Sequence, residues 1–183
     1  MTVRAFDPLC LDTATFAKEA VETAGTWPLA ALDRLCVEAH IDAKPATGEQ
    51  VEWRATGESR ACRGGEPQIW LHLECRARLG LVCQRCLQPV DTAVDAQRSF
   101  QFVADEALAA EIDADSEEDV LALSRTLNLI ELIEDELLLA LPLVPRHTTC
   151  PQPLKPPDNI EPFEERVNPF AVLGELKRKS RPN

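Results

Sequence analysis

Apolar and polar residues alternate along residues 69 to 83, and this is the clearest pattern in the chain. Every odd position is apolar or carries sulfur, whereas the even positions from 70 to 78 hold tryptophan, histidine, glutamate and arginine. A period of two predicts a long β-strand with one buried face and one polar face. Residues 51 to 61 and 92 to 104 resemble shorter strands on either side. We therefore predict an antiparallel sheet of hairpins over about residues 37 to 103, with the CQRC segment at a hairpin tip.

Residues 128 to 141 predict a helix that packs on this sheet. Asn128 is a suitable N-cap, and Pro142 ends the helix. Apolar side chains cover most of its circumference, so leucines such as Leu138 and Leu139 should lie in a packed interface. The narrow polar strip should be its solvated face; it consists of Glu131, Glu134 and Asp135.

The remaining segments complete an α+β fold. Helical composition predicts helices between residues 13 and 36, whereas residues 104 to 119 are acidic and predict a solvated loop, with an added strand just after it. Nine of the 14 prolines lie at or beyond residue 142. The sequence thus predicts one domain over residues 1 to 142 and an extended proline-rich tail over residues 143 to 183 that ends in a short helix.

Charge and cysteine content argue against a DNA-binding protein and against a secreted, disulfide-bonded one. The net charge is −12, and residues 99 to 142 alone carry −11. Such a surface repels nucleic acid, which argues against DNA binding and favours a basic protein partner. No segment resembles a signal peptide or a membrane span, so we expect a soluble cytoplasmic protein without membrane contact. Seven cysteines are an odd number and should be thiols or metal ligands in that compartment.

Two cysteine-containing pairs form a candidate metal site. Cys83 and Cys86 have the spacing of a zinc knuckle, and His147 and Cys150 form a second pair that the helix before it would return to the hairpin tip. The alternative is that these residues only pack or turn, without a metal, and the sequence leaves both open. Cys75 lies too far along the strand and should be a core thiol. A thioredoxin-like role is disfavoured because the CxxC segment leads into a strand rather than a helix.

Basic residues mark two candidate partner surfaces. Arginines collect on the predicted hairpins, although they could equally be solvated and paired with neighbouring glutamates. The end of the tail combines apolar residues with a basic cluster and looks like a docking segment. The candidate partner-binding residues are Arg76, Arg78, Arg85, Phe170, Leu173, Lys177, Arg178 and Lys179.

Three segments together resemble the bacterial YceD family of large ribosomal RNA subunit accumulation proteins. They are LVCQRCLQPV, NLIELIEDELLLALPLVPRHTTC and NPFAVLGELKRK, in this order and with an acidic linker between the first two. The resemblance implies a non-enzymatic factor in the synthesis, processing or stability of large-subunit ribosomal RNA. Its partner would be a ribosomal RNA precursor, a ribosomal protein or another assembly factor. The alternative is a thiol-based redox or catalytic protein that uses Cys83 and Cys86.

Overall fold

The computed structural model describes residues 6 to 40, residue 42 and residues 49 to 151. These residues belong to one compact unit, Met1–Gln152, which includes residues 143 to 151. The predicted domain limits, the extended tail and its terminal helix stay predictions, because residues 152 to 183 lie outside the described residues. In chain order the elements are α1 (Thr13–Lys18), β1 (Glu22–Pro28), a 3₁₀ turn (Leu29–Ala31), α2 (Asp33–Val37), β2 (Gln50–Arg60), β3 (Gln68–Val82), β4 (Pro89–Val103), α3 (Glu106–Asp113), β5 (Asp119–Ala122) and α4 (Leu129–Leu139).

The five strands form one mixed sheet in the order β1-β2-β3-β4-β5. Strands β1 to β4 pair antiparallel, and the predicted alternation is confirmed in β3, where the odd positions are buried. The prediction of a purely antiparallel sheet is wrong at one edge, because β5 pairs parallel to β4. A parallel neighbour needs a crossover connection, and α3 supplies it.

The N-terminal segment differs from its helical prediction. Helix α1 ends at Lys18, and residues 22 to 28 form the edge strand β1 rather than a helix. Trp27 stacks on Trp53 of β2 with ring centroids 4.6 Å apart. A Cβ atom at Gly25 would lie 2.9 Å from the Trp53 ring, so the glycine permits this close approach. Cross-strand aromatic packing therefore overrides the helical composition of the segment.

The acidic segment is also more ordered than a loop. Asp105 accepts a hydrogen bond from the Leu108 backbone N–H at 2.9 Å and caps α3. Helix α3 buries Ala109 against Val103 and Val120, in a small cluster separate from the main core. Strand β5, which contains Val120, is the additional strand that the sequence predicted.

Helix α4 packs across the sheet as predicted, with Asn128 as its N-cap. Ile133 and Leu137 are fully buried in the main core. The prediction that Leu139 lies in a packed interface is wrong, because this side chain is 74% exposed. The apolar positions of α4 thus extend beyond the face of the helix that packs on the sheet. No helix among the described residues is both long and apolar enough to cross a membrane.

The polar strip of α4 is not simply solvated, and the prediction is wrong at Glu134. Its carboxylate accepts hydrogen bonds from the backbone N–H groups of Arg34 (2.7 Å) and Leu35 (3.1 Å), and its second oxygen accepts from Arg34 Nε at 2.8 Å. The residue before α2, Leu32, has no side-chain oxygen to cap that helix. Glu134 therefore caps α2 from a neighbouring element. Glu136 is also buried, which raises the pKa of its carboxyl group, and it accepts from Arg98 Nε at 3.2 Å.

Candidate metal centre

The hairpin between β3 and β4 forms a tight knuckle over residues 83 to 88. The Cys83 N–H donates to the Gln88 carbonyl at 3.0 Å, and the Leu87 N–H donates to the Cys83 carbonyl at 2.9 Å. Leu87 has a φ of 59°, in the left-handed region that favours glycine. This backbone holds both Cys83 and Cys86 on the buried side of the knuckle, with 0% and 3% exposure.

Residues 143 to 151, called the strap here, bring the second pair to the knuckle. The strap follows Pro142, which comes just after the end of α4 and prevents the helix from continuing. The Gln84 N–H donates to the Pro145 carbonyl at 2.9 Å and ties the strap to the hairpin. His147 and Cys150 follow this contact. The structure therefore brings together the two pairs that lie 60 residues apart in sequence.

The four candidate ligands form a compact cluster. The ligand atoms of Cys83, Cys86, His147 and Cys150 all lie within 4.8 Å of one another. The Sγ atoms of Cys83 and Cys150 are 3.9 Å apart, and Cys86 Sγ lies 3.5 Å from His147 Nδ1. A zinc tetrahedron with Zn–S of about 2.3 Å and Zn–N of about 2.0 Å has edges of about 3.8 Å between sulfurs and about 3.5 Å between sulfur and nitrogen. The cluster could hold a metal ion, and its soft donors suit zinc.

The surroundings of the cluster favour a thiolate at Cys83. Burial opposes ionisation, but hydrogen bonds from the backbone of His147, Arg85 and Cys86 outweigh it and lower the pKa of Cys83 to about 5. Burial raises the pKa of Cys86, and the neighbouring thiols raise it further. A zinc site with three thiolates and one neutral histidine would carry a net negative charge, which a nearby cation would stabilise.

Arg85 is that cation, a role that its position within CQRC did not reveal. Its Nε donates to Cys150 Sγ at 2.9 Å, and an Nη donates to the His147 carbonyl at 2.9 Å. The guanidinium group thus joins the knuckle to the strap around the cluster. Cys75 is not part of the cluster and is 2% exposed, so the prediction of a core thiol is confirmed.

Comparison with known proteins places the chain in a family. The family model described as "Large ribosomal RNA subunit accumulation protein YceD" matches residues 71 to 177, which is more than half of the chain and includes all four cluster residues. The chain belongs to the YceD family. A relative from Haemophilus influenzae, named "Large ribosomal RNA subunit accumulation protein YceD", is 27% identical over 177 residues that cover 94% of this chain and 97% of the relative. No solved structure matches the chain.

In this YceD family member, the arginines of β2 and β3 share the face of the sheet opposite α4, called the open face here, and several are already paired. Arg78 donates to Asp91, and Arg54 donates to Glu22 at 2.5 Å. Arg60 donates to Glu58 at 2.9 Å and lies 4.3 Å above the ring of Trp70. These pairs neutralise much of the positive charge that an RNA-binding face would need. The assignment of Arg76, Arg78 and Arg85 to a partner surface stays a prediction.

His72 connects three strands on this open face. His72 Nδ1 lies 2.9 Å from Ser99 Oγ, and His72 Nε2 lies 2.8 Å from Glu58 Oε2. Sequence spacing did not reveal these contacts, because they depend on the register of β2, β3 and β4. The predicted tail contacts Phe170, Leu173, Lys177, Arg178 and Lys179 lie outside the described residues.

Proposed function

We propose that this chain is a non-enzymatic factor in the synthesis, processing or stability of large-subunit ribosomal RNA and acts by binding a protein or RNA partner. Membership of the YceD family is the observation that carries this proposal, because the family is named for large ribosomal RNA subunit accumulation. The net charge of −12 supports a basic protein as the direct partner. A ribosomal protein, a ribosomal RNA precursor or another assembly factor fits this role in the cytoplasm.

The proposal includes one structural zinc ion held by Cys83, Cys86, His147 and Cys150. Four protein ligands leave no open coordination position, which is typical of structural rather than catalytic zinc. Two ligands come from the knuckle and two from the strap, so the ion would join segments that are distant in sequence. Because such a site does not exist in the unfolded chain, metal binding energy contributes directly to folding.

Substitution of one ligand tests the metal site. Cys83→Ser should release about one zinc ion per chain and destabilise the contact between knuckle and strap. Cys62→Ser is the matched control, because Cys62 is an exposed thiol outside the cluster and its loss should leave the zinc content unchanged. Equal zinc content in the wild-type chain and Cys83→Ser would contradict the assignment of this ligand.

Complementation of cells that lack the chain tests the function. The full chain should restore the ratio of large-subunit to small-subunit ribosomal RNA, and it should co-sediment with large-subunit precursors. The predicted tail contacts can be tested in the same cells by deleting residues 168 to 183, which should abolish co-sedimentation. If ribosomal RNA levels are the same with and without the chain, the proposed function is wrong.

The gathering of three thiols within 4.8 Å favours one alternative, a thiol-based redox or catalytic protein that uses Cys83 and Cys86. Alkylation of the native chain with iodoacetamide distinguishes the two functions. A redox pair contains one fast-reacting thiol, whereas zinc-bound thiols react slowly until a chelator removes the metal. Fast alkylation of Cys83 or Cys86 in the zinc-replete chain would favour the alternative, whereas reaction of the exposed Cys10 and Cys62 alone would not.

A further inference from the structure

Cys150 is the most accessible of the three thiols in the cluster. Cys83 and Cys86 are buried, whereas Cys150 is only partly buried. The susceptibility of a cysteine to oxidation follows its thiolate character and its exposure. All three sulfurs must be thiolates when they bind zinc, so exposure decides which of them reacts first. A small oxidant such as hydrogen peroxide should therefore reach the Cys150 sulfur before the other two.

The guanidinium group of Arg85 lies against this sulfur. Its Nε donates to Cys150 Sγ at 2.9 Å, and one Nη donates to the carbonyls of His147 and Thr148 at 2.9 Å and 3.4 Å. Among the described residues, no protein atom accepts a hydrogen bond from the other Nη. When a thiolate attacks peroxide, negative charge develops on the departing oxygen, and a donor held at that place stabilises it. Arg85 is positioned to supply this donor at Cys150.

A second thiol stands beside Cys150 to complete the oxidation. Cys83 Sγ lies 3.9 Å from Cys150 Sγ. A sulfenic acid condenses with a neighbouring thiol to form a disulfide, and redox-sensing cysteines are typically accessible and next to such a resolving cysteine. A bond between Cys83 and Cys150 would join the knuckle to the strap, across a sequence separation of 67 residues.

We infer that Cys150 is a site of oxidation by hydrogen peroxide and that Cys83 resolves it to a disulfide, which releases the zinc ion while the strap stays attached to the knuckle. The Cys150 thiolate attacks one peroxide oxygen, the O–O bond breaks, and hydroxide leaves as the sulfur becomes a sulfenic acid. The Cys83 thiolate then attacks this sulfur and displaces a second hydroxide. Each sulfur loses one electron, and the peroxide takes up both. The inference rests on the proposed zinc site and not on the ribosomal role.

The disulfide would replace the metal as the link between knuckle and strap. Only Cys86 and His147 would remain as ligands, whereas structural zinc requires four. The covalent bond would still restrict the unfolded chain, because it closes a long loop. Oxidation should thus empty the metal site without unfolding the chain. A dithiol reductant together with zinc should restore the original site, because exchange with thiolates reverses a disulfide.

Peroxide titration of the zinc-loaded full chain tests this inference. A chromogenic chelator follows the released zinc, and mass spectrometry of a non-reduced digest maps the disulfide. Each chain should release about one zinc ion as a Cys83–Cys150 disulfide forms, and dithiothreitol with zinc should reverse both changes. The double variant Cys10→Ser/Cys62→Ser should behave identically, because these exposed thiols lie outside the cluster. A disulfide between Cys83 and Cys86, or zinc release without any disulfide, would overturn the inference.

Thermal unfolding separates a covalent link from simple loss of the metal. The oxidised, metal-free chain should unfold at a higher temperature than the reduced chain from which EDTA has removed the zinc, because only the oxidised chain keeps the strap bound to the knuckle. An equal or lower unfolding temperature would show that the disulfide does not replace the metal in this role.

Arg85→Met tests the contribution of the guanidinium group. The rate of peroxide-driven zinc release, divided by the rate of chelator-driven release, should fall at least about fivefold. Division by the chelator-driven rate corrects for any weakening of the site itself. Arg146→Met, at an exposed arginine of the same strap, should leave this ratio unchanged. An unchanged ratio in Arg85→Met would overturn the role of Arg85.

The same samples distinguish failure of this inference from failure of the zinc site on which it rests. A zinc-loaded chain that keeps its metal at peroxide concentrations that oxidise the exposed Cys62 would overturn the inference alone. A chain that holds no zinc before treatment would overturn the zinc site and the inference together.

Discussion

Removal of the Glu134 carboxylate should destabilise the fold although the residue lies on the polar strip of its helix. The side chain is only 8% exposed and accepts three hydrogen bonds, two of them from the first backbone N–H groups of α2. Glu134→Ala leaves these N–H groups without a partner and removes buried side-chain volume. Glu134→Gln retains one oxygen for the two backbone donors but turns an amide donor towards Arg34.

The expected magnitudes follow from these contacts. Loss of a helix cap costs about 1 kcal/mol, and buried donors left unpaired add about 1 to 3 kcal/mol. The ion pair with Arg34 adds little to these terms, because the Arg34 side chain is 53% exposed and solvent screens the pair. We therefore expect Glu134→Ala to lower the free energy of unfolding by about 3 kcal/mol and Glu134→Gln by about 1 kcal/mol.

Urea denaturation of the zinc-saturated chain measures these differences, with zinc kept in equal excess because bound metal also stabilises the folded state. Asp135→Asn is the matched control. Asp135 pairs with the same arginine, but its side chain is 51% exposed, so the change should cost less than about 0.5 kcal/mol. A loss below about 0.5 kcal/mol for Glu134→Ala would refute the role of Glu134 as a cap of α2. Equal losses for Ala and Gln would show that the ion pair, not the cap, is the stabilising contact.

Three further predictions concern other parts of the fold. Gly57→Ala should lower stability by about 1 to 3 kcal/mol in urea denaturation, because the added Cβ would lie 2.7 Å from a backbone oxygen of α1. Gly65→Ala should leave the stability unchanged, because the added Cβ would meet no atom within 4 Å. Equal losses of stability in the two alanine variants would contradict this prediction. Leu87→Gly should be at least as stable as the wild type, because glycine adopts the left-handed backbone of this position without strain. Leu87→Val should lower the free energy of unfolding by about 1 kcal/mol. If the valine variant is the more stable of the two, the backbone at Leu87 is not strained. A hydrogen bond from Arg60 lowers the pKa of Glu58 from 4.5 to about 2. The ionised carboxylate therefore stabilises the fold above pH 4.5, and this contribution is lost as the pH falls towards 2. The Glu58 side chain is 42% exposed, so Glu58→Gln should lower the free energy of unfolding by at most about 1 kcal/mol at neutral pH. This difference between the two proteins should shrink below about pH 4.5. A difference that does not change with pH would contradict the prediction.

The sequence predicted the elements whose pattern is local and strong. The alternation along β3 and the capped apolar run of α4 both correspond to observed elements. The helical prediction for the segment around β1 is wrong because Trp27 packs on Trp53, 26 residues further on, and composition does not record this contact. The acidic composition of residues 104 to 119 does not predict α3, and without this crossover helix the parallel pairing of β5 cannot be predicted. Local pattern thus predicted element type only where tertiary contacts did not compete with it.

In the candidate metal site, too, the sequence predicted what depends on local spacing and not what depends on tertiary contacts. Spacing identified the four possible ligands, because a CxxC pair and an HxxC pair are recognisable before the fold is known. Spacing did not identify Arg85 as the cation beside Cys150, since that contact crosses from the knuckle to the strap. It also did not separate buried Glu134 from exposed Asp135, because the burial of Glu134 depends on its contact with α2. Roles that depend on a second element require the structure.

X-ray absorption at the zinc edge, on the full chain purified without chelators, tests the central claim about the metal centre most directly. The account predicts about one zinc ion per chain with three sulfur ligands and one nitrogen ligand at about 2.3 Å and 2.0 Å. His147→Cys should change the spectrum to four sulfur ligands while the ion is retained, because thiolate is also a zinc ligand. A chain without zinc, or a zinc ion bound mainly by oxygen and nitrogen, would contradict the assignment of Cys83, Cys86, His147 and Cys150.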